Sequence, residues 1–305
     1  MVTVPNFIVI GAAKAGTTAL HYILDQHSEI YMCPMKEPSF FWACNQEVVL
    51  KGPGAEVLKH RYVDNWNQYL ELFAGANGEK AIGESSVRYL SYPSSPELIR
   101  RFIPQVKLVA ILRNPVERAF SSYTHYIRDG MEPCSHFGEA IQQELRGERE
   151  GWTFGRYLNQ GLYYAALQRY LQHFDRSQMY IGLYEDMQNS PQALLQSLFA
   201  FLEVDENFEP DLSKRHNVSG VIRNPLLRWV WTRSNKLRAA MRPLLAERFR
   251  HAAFEWFMGG QELGKLGFPD DVQKELGVYY RQDILSLQNL LQRDLSGWLE
   301  PVESS

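Results

Sequence analysis

Short apolar runs alternate with amphipathic segments along most of this chain. Runs of the type found in buried parallel strands occur at Phe7 to Gly11, Lys80 to Glu84, Lys107 to Leu112 and Met179 to Leu183. Apolar residues at helical spacing predict helices between and after these strands. The predicted helices are Thr17 to Gln26, Asp64 to Phe73, Pro96 to Phe102, Val116 to Arg128, Phe137 to Leu145, Leu162 to His173, Pro191 to Leu202 and Asp271 to Trp298. The alternation predicts an α/β fold whose parallel sheet is covered by helices.

Two helix starts carry signals of their own. Ser95 is a predicted cap with Pro96 in the first turn, and Pro115 suits the first turn of the helix that follows Asn114. Between the periodic segments, residues Trp42 to Arg61 and Arg146 to Phe154 are predicted to be irregular excursions. In an open α/β fold such excursions often build the rim of a substrate site.

The first strand and helix enclose a turn that is suited to an anion. Residues Asn6 to Leu24 read NFIVIGAAKAGTTALHYIL, so the helix begins close to Gly16. Unpaired N–H groups and the helix dipole then face whatever occupies the turn. A nucleotide triphosphatase loop needs Gly-Lys-Ser/Thr at its end, but here the lysine precedes the second glycine. A strand-turn-helix joint with an incidental lysine is the alternative.

The order Gly11, Lys14, Gly16, Thr17, Thr18 resembles the 5′-phosphosulfate loop of sulfotransferases that use 3′-phosphoadenosine 5′-phosphosulfate (PAPS). The resemblance implies that Lys14, Ala15, Gly16, Thr17 and Thr18 bind the 5′ end of PAPS. It implies no metal. Lys14 would neutralise charge on the leaving phosphate, or would only anchor that phosphate.

A second segment, Lys107 to Tyr123, reads KLVAILRNPVERAFSSY and resembles the 3′-phosphate-binding segment of the same enzymes. Arg113 and Ser121 occupy the positions of the arginine and serine that clamp the 3′-phosphate. An arginine fork suits this role because it makes paired, charge-assisted hydrogen bonds. The alternative is a surface ion pair for Arg113 and an ordinary helical position for Ser121.

The resemblance extends to the last third of the chain. The segment Lys214 to Gly220 is similar to the family loop that folds over the 3′-phosphate, which makes Arg215, Ser219 and Gly220 candidate cofactor contacts. We identify the chain as similar to PAPS-dependent sulfotransferases, closer to the heparan-sulfate and bacterial branch. That family implies one sulfotransferase domain over residues 1–305, a P-loop-like three-layer sandwich with five parallel strands, and PAP (adenosine 3′,5′-bisphosphate) as product.

Three further carboxylate or histidine positions are candidates for the chemistry. Glu37, before Phe40 and Phe41, holds the place of the family's catalytic glutamate, and desolvation by those rings would make it a stronger base. An ion pair with Lys36 is the alternative. His216 is a second candidate base. Glu84 lies at the end of a strand, where the family often has Glu-Lys-Ser, and we expect it to orient or bind the acceptor; a purely structural role is the alternative.

Two other residues are candidate acceptor contacts. Ser85 replaces the lysine of the family's Glu-Lys-Ser, so Arg88 would supply the missing positive charge. Gly161-Leu162-Tyr163 is similar to a family element near the cleft, which makes Tyr163 a candidate lining residue. A core aromatic position is the alternative for Tyr163.

Composition and charge limit the possible binding partners, but they do not identify the reaction. The chain has 305 residues and a net charge of −3, which argues against nucleic acid. The Lys/Arg-rich stretch of residues 223–250, within a predicted helical lid at 214–260, suggests docking to an acidic partner or a membrane surface. Cys33, Cys44 and Cys134 match no zinc motif and predict free thiols in a cytoplasmic, bacterial enzyme without a transmembrane segment.

The acceptor stays open at this level. A small molecule, a lipid, a glycan or a chain bound to a carrier protein is compatible with the sequence, and a hydroxyl is favoured over an amine. Two rival functions are a P-loop-type kinase, which needs an acidic magnesium ligand, and a non-catalytic nucleotide-binding relative.

Overall fold

A computed structural model describes residues 3–44, 47–59, 61–213, 221–222, 263–264 and 266–300. The strands are β1 (Phe7–Gly11), β2 (Ile30–Met32), β3 (Ala81–Ser85), β4 (Lys107–Leu112), β5 (Met179–Leu183), β6 (Val221–Ile222) and β7 (Leu263–Gly264). The helices are α1 (Thr17–Leu24), α2 (Phe40–Ala43), α3 (Trp66–Glu71), α4 (Ser95–Phe102), α5 (Pro115–Asp129), α6 (Phe137–Leu145), α7 (Tyr163–Leu171), α8 (Tyr184–Asn189), α9 (Pro191–Leu202) and α10 (Asp270–Leu291). Within these ranges, four single-turn 3₁₀ helices lie at Ala55–Leu58, Asn159–Gly161, Arg176–Gln178 and Ser296–Trp298.

The central sheet has five parallel strands in the order β2-β3-β1-β4-β5. Phe7 of β1 lies opposite Gly83 on one side and Lys107 on the other. This arrangement confirms the predicted α/β sandwich with a parallel sheet. All five strands therefore direct their carboxyl ends to one edge of the sheet, where the loops that follow β1, β3 and β4 meet.

Burial explains why these strands form. Every residue of β1 is buried, and all of β4 except Lys107 is buried as well. Such uninterrupted apolar runs are stable only between two helical layers. Gly83 allows the close approach of β3 and β1, since a Cβ atom there would lie 2.5 Å from the Phe7 ring.

Several helix boundaries differ from those predicted from the sequence. Helix α4 begins at Ser95 itself, and the Ser95 hydroxyl donates to the Phe41 carbonyl instead of capping the helix. The last predicted helix ends at Leu291 rather than Trp298, because Gln292 adopts a left-handed conformation with a φ of 52°. The prediction for Pro115 is confirmed, since this residue starts α5. Strand β2 and helices α2 and α8 were not predicted.

The two predicted excursions touch each other. The Lys51 N–H donates to Thr153 Oγ1 at 3.0 Å, and the Thr153 N–H donates to the Lys51 carbonyl at 2.8 Å. The first excursion also contains the 3₁₀ turn Ala55–Leu58. Most of the predicted lid at 214–260 lies outside the described residues, but β6 pairs antiparallel with β7 and lies beside α5.

Candidate active site

The loop between β1 and α1 forms the centre of the site. Gly16 has a φ of 81° and directly precedes α1, so the first N–H groups of the helix face the loop. Tyr184 and Met187 of α8 pack against Gly16, where an added Cβ atom would come within 2.5 Å of the Met187 methyl group. Glycine therefore satisfies both the backbone conformation and the close approach of α8.

A cavity of about 1180 Å³ opens in front of this loop. Its walls come from the loop after β1, the segments after β2 and β3, the first excursion, helix α5 and the second excursion. The polar and charged residues that line it include Lys14, Thr17, Thr18, Lys36, Glu37, Arg88, Ser122, His125 and Asp129. The cavity thus brings the predicted 5′-phosphosulfate loop together with Glu37 and Arg88.

Lys14 lines this cavity with a strained backbone and a desolvated side chain. Its φ is 68°, a conformation that non-glycine residues seldom adopt. Burial, followed by the charge of Arg128, lowers the pKa of Lys14 from 10.5 to about 8, while Asp129 opposes that shift. Across the described ranges no carboxylate forms an ion pair with the Lys14 ammonium. The Lys14 ammonium is half-buried and has no ion-pair partner in these ranges, so it is suited to bind an anion.

Glu37 faces the same cavity and is held by two donors. The Val87 N–H donates to Glu37 Oε2 at 3.1 Å, and Lys36 Nζ lies 3.1 Å from Glu37 Oε1. The ion pair that was the alternative for Glu37 is therefore present. The Glu37 side chain is 34% exposed, and the Phe40 and Phe41 rings pack in the core instead of desolvating it. Two of the roughly four lone-pair positions of the carboxylate are occupied, which leaves acceptor capacity toward the cavity.

Glu84 differs from the sequence expectation because it has no exposed surface and does not line the cavity. The Tyr69 hydroxyl donates to Glu84 Oε1 at 3.3 Å. Burial raises the pKa of Glu84 from 4.5 to about 8, although hydrogen bonds from Ser86 and Tyr89 oppose the shift. Because it is buried, Glu84 does not reach the cavity in which an acceptor would lie.

The two predicted acceptor contacts also separate. Arg88 lines the cavity, whereas Tyr163 is 1% exposed and does not. The Tyr163 ring packs near Trp298 at a centroid distance of 6.2 Å, and burial raises the pKa of its hydroxyl to about 12. Tyr163 is a core aromatic residue, which was the alternative.

Arg113 joins the second motif to the first. Its Nη1 donates to the Lys14 carbonyl at 3.3 Å, and its Nη2 lies 2.8 Å from Glu117 Oε2. The guanidinium also lies over the Tyr184 ring, 4.8 Å from the centroid. Arg113 and Ser121 are not among the residues that line the large cavity, whereas the neighbouring Ser122 is.

Comparison with known proteins resolves the family. The model described as "Sulfotransferase family" matches residues 5–210, which include both motifs and the whole parallel sheet. The chain belongs to the sulfotransferase family. The predicted resemblance is therefore confirmed.

Solved and curated relatives agree with this sulfotransferase assignment. The crystal structure of a sulfotransferase from Alicyclobacillus acidocaldarius is 31% identical, with a TM-score of 0.76 over 98% of this chain and 100% of that one. The membrane-associated sulfotransferase kil1 of Dictyostelium discoideum is 25% identical over 283 residues, in a match that covers 67% of this chain and 57% of kil1.

A heparan sulfate relative matches over a smaller share of its own length. The bifunctional heparan sulfate N-deacetylase/N-sulfotransferase 2 of Bos taurus is 25% identical over 206 residues, covering 66% of this chain and 22% of the relative. This sulfotransferase chain thus spans well under two thirds of both curated relatives.

Helix α5 contributes residues to the sulfotransferase site that the sequence analysis missed. Ser122, His125, Tyr126 and Asp129 all line the cavity, and their spacing places them on one helix face. Arg128 Nη2 contacts His125 Nδ1 at 2.7 Å, and His125 Nε2 lies 3.6 Å from Asp129 Oδ2. Because arginine can only donate, the Nδ1 atom must accept and the proton lies on Nε2.

His125 is consequently neutral and fixed in one tautomer. Burial, with the Lys14 charge as the second cause, lowers the pKa of His125 to about 4. Nδ1 accepts from Arg128, and Nε2 carries its proton 3.6 Å from Asp129 Oδ2, so His125 has no free nitrogen that could act as a base. The sequence signal for this helix face is that polar residues recur every three or four positions along α5. The sequence analysis did not use this spacing, because it assigned the helix only to the motif that begins at the preceding strand end.

The remaining predicted contacts lie outside the described residues: Arg215, His216, Ser219 and Gly220. In the ranges that the structure covers, no group of His, Cys, Asp and Glu residues could hold a metal ion. Helices long and apolar enough to cross a bilayer are likewise absent from those ranges. Cys33, Cys44 and Cys134 are all free thiols, as predicted.

Proposed function

We propose that this sulfotransferase transfers a sulfuryl group from PAPS to a hydroxyl group, with Glu37 as the base. The observation that carries the proposal is the position of Lys14. Its desolvated side chain lines the cavity that contains Glu37, and its carbonyl accepts a hydrogen bond from Arg113. Lys14 therefore links the proposed donor contacts to the proposed base.

The donor half of the proposal uses the two motifs. The N–H groups at the start of α1 and the Thr17 and Thr18 hydroxyls hold a 5′-phosphate, with Ala15 and Gly16 supplying backbone. Arg113 and Ser121 hold the 3′-phosphate. Arg113 is held ready for this by Glu117 and Tyr184, so little side-chain freedom is lost on binding.

A proposed third part of the donor grip is the segment that contains Arg215, Ser219 and Gly220. The segment lies outside the described residues, but β6 directly follows it in sequence and lies beside α5, the helix of Ser121. That neighbourhood supports a contact with the same phosphate.

The transfer itself is an in-line displacement. A bond forms between the acceptor oxygen and sulfur, and the bond between sulfur and the bridging oxygen of the 5′-phosphate breaks. The acceptor proton moves to Glu37, and PAP leaves with the negative charge on its phosphate. Lys14 stabilises that developing charge, because a desolvated ammonium interacts strongly with an anion formed beside it. His216 stays an alternative base in this proposal.

Glu84 has a proposed supporting role instead of a catalytic one. It lies on β3 beside the backbone that holds Glu37, since the Glu37 N–H donates to the Ser85 carbonyl at 3.0 Å. A neutral, buried carboxyl group at this point fixes β3 without placing a second charge beside Glu37.

Calorimetry with PAP and ADP tests the donor assignment. PAP should bind without magnesium, and ADP should bind more weakly by about tenfold or more because it lacks the 3′-phosphate. Incubation with PAPS and a panel of hydroxyl compounds, followed by mass spectrometry, should then show sulfate adducts. Equal affinity for PAP and ADP would remove the Arg113 clamp from the proposal.

A further inference from the structure

Arg88 occupies an unusual position in the cavity wall. Its guanidinium lies between two aromatic rings, with Cζ 4.7 Å from the Trp42 ring centroid and 5.7 Å from that of Phe154. Its Nη1 donates to the Thr153 carbonyl at 3.3 Å. These contacts fix the side chain in place before any acceptor arrives.

The charge of Arg88 is not neutralised by an ion pair in the part of the chain that the structure describes. Like Lys14, Arg88 differs in this from Lys36 and Arg149, which pair with Glu37 and Glu132. No ion pair includes Arg88 in the described ranges, and burial lowers its pKa. Burial of an unpaired guanidinium is costly unless a ligand completes its hydrogen bonds.

Apolar side chains line the same cavity beyond Arg88. Val57 and Leu58 come from the first excursion, Met131 follows α5, and Phe154 belongs to the second excursion. All four are half-buried, and of these only Leu58 packs against the hydrophobic core. Their remaining apolar surface faces the cavity, as in sites that bury an apolar ligand.

Arg88 also lies close in space to the proposed base. Glu37 Oε2 accepts a hydrogen bond from the N–H of Val87, the residue that precedes Arg88. An acceptor whose hydroxyl reaches Glu37 can therefore extend along the cavity wall that contains Arg88 and the apolar side chains.

We propose that Arg88 binds an anionic group, a carboxylate or a phosphate, on an amphipathic acceptor whose apolar part lies along Val57, Leu58, Met131 and Phe154. This inference rests on the proposed sulfotransferase function and names the class of acceptor for it. It selects an anionic, partly apolar hydroxy compound over a neutral sugar.

Matched probes test the charge requirement. The wild-type chain is titrated calorimetrically with ω-hydroxydecanoate, its methyl ester and ω-hydroxydecyl phosphate, each with and without PAP. We expect either anion to bind more tightly than the ester by about tenfold or more, as for a charge-assisted hydrogen bond. The two anions distinguish a carboxylate from a phosphate. Equal affinity of the ester and both anions would overturn the proposal.

Variants assign the preference to Arg88. Arg88→Gln should abolish the difference between acid and ester, and Arg88→Lys should retain part of it. Arg61→Gln removes an exposed cation at the rim of the same cavity and should leave the difference intact. An acid preference that survives in Arg88→Gln and disappears in Arg61→Gln would contradict the assignment. Circular dichroism and PAP affinity verify that each variant is folded.

Chain length tests the apolar part, and PAP tests the underlying function. Glycolate should bind about tenfold or more weakly than ω-hydroxydecanoate, because it cannot cover the apolar wall. Equal affinity would overturn that half of the proposal. Failure of PAP to bind would instead contradict the proposed function, while the titrations without PAP would still decide the role of Arg88.

Discussion

The carbonyl oxygen of Lys14 accepts a hydrogen bond from Nη1 of Arg113 at 3.3 Å, across 99 positions of the chain. This contact ties the loop after β1 to the end of β4. It keeps the proposed 5′ and 3′ grips at a fixed separation before a donor binds. Glu117 and Tyr184 complete the support of the same guanidinium.

Arg113→Lys should lower PAP affinity by about tenfold or more, because a lysine keeps the charge but loses the planar fork. Titration calorimetry without magnesium measures the change. Lys80→Gln removes an exposed ion pair with Glu29 at the opposite edge of the sheet and serves as control. Unchanged affinity in Arg113→Lys would show that the fork does not contact the nucleotide.

Glu37→Gln should abolish transfer while PAP affinity is retained, since the amide keeps the shape of the side chain but is not a base. Sulfate adducts in the mass spectrum provide the activity readout, and calorimetry provides the affinity. Glu97→Gln on the exposed face of α4 is the matched control. Normal turnover by Glu37→Gln would move the base to His216.

Lys14→Met should abolish transfer and stabilise the free protein. The pKa of Lys14 is about 8 when folded and 10.5 when unfolded, so at neutral pH the folded state carries the cost of a desolvated charge. The gain in unfolding free energy is about 1 kcal/mol once the partial exposure of the side chain is considered. Urea denaturation at neutral pH measures it.

The same substitution has a pH signature. Between about pH 8 and 10.5 the unfolded wild-type chain binds more protons at Lys14, so its unfolding free energy rises with pH in this window. Lys14→Met should lose that rise. A variant with the wild-type pH profile would show that Lys14 is not desolvated.

Glu84→Gln should have the opposite pH signature. The folded protein keeps the Glu84 proton up to about pH 8, whereas the unfolded chain releases it near pH 4.5. The wild-type unfolding free energy therefore falls as pH rises through this window, and the variant should gain stability relative to it. Urea denaturation at about pH 5 and about pH 9 compares the two proteins. A constant difference would mean that Glu84 is ionised in the fold.

Alanine substitutions at two glycines should change the stability of the protein in opposite directions. Gly83→Ala should destabilise the protein by about 1–3 kcal/mol, because its Cβ atom would overlap the buried Phe7 ring. Gly277→Ala lies within α10 with no atom near its Cβ position, and should stabilise by about 0.5–1 kcal/mol. Thermal unfolding measures both, and equal effects would contradict this packing.

The sequence was informative where a strand is buried on both faces. The bounds of β1, β4 and β5 were predicted without error, because the helical layers require continuous apolar runs. Strand β2 was missed because it has only three residues, of which Tyr31 is half-buried. Ser95 was taken for a cap because its hydroxyl bond to Phe41 joins residues 54 positions apart.

The residues of the candidate site also divide into those that the sequence predicted and those that it did not. The loop residues from Lys14 to Thr18 follow a local pattern, so the sequence placed them at one strand end. The burial of Glu84 depends on Tyr69 from α3, and the role of Tyr163 depends on Trp298 near the end of the chain. The spacing of the polar residues along α5 can be recognised in the sequence. No local feature of the sequence, however, shows that this side of the helix lines the cavity.

The hydrogen bonds between Lys51 and Thr153, one to a backbone carbonyl and one to a side-chain hydroxyl, have a consequence for exchanging parts of this enzyme. The two excursions are joined by these bonds and line the cavity together with the β1–α1 loop. We therefore expect that exchange of both excursions together would change acceptor choice and leave the proposed nucleotide-binding loop intact. Exchange of one excursion alone would leave the other without the hydrogen bonds that hold it.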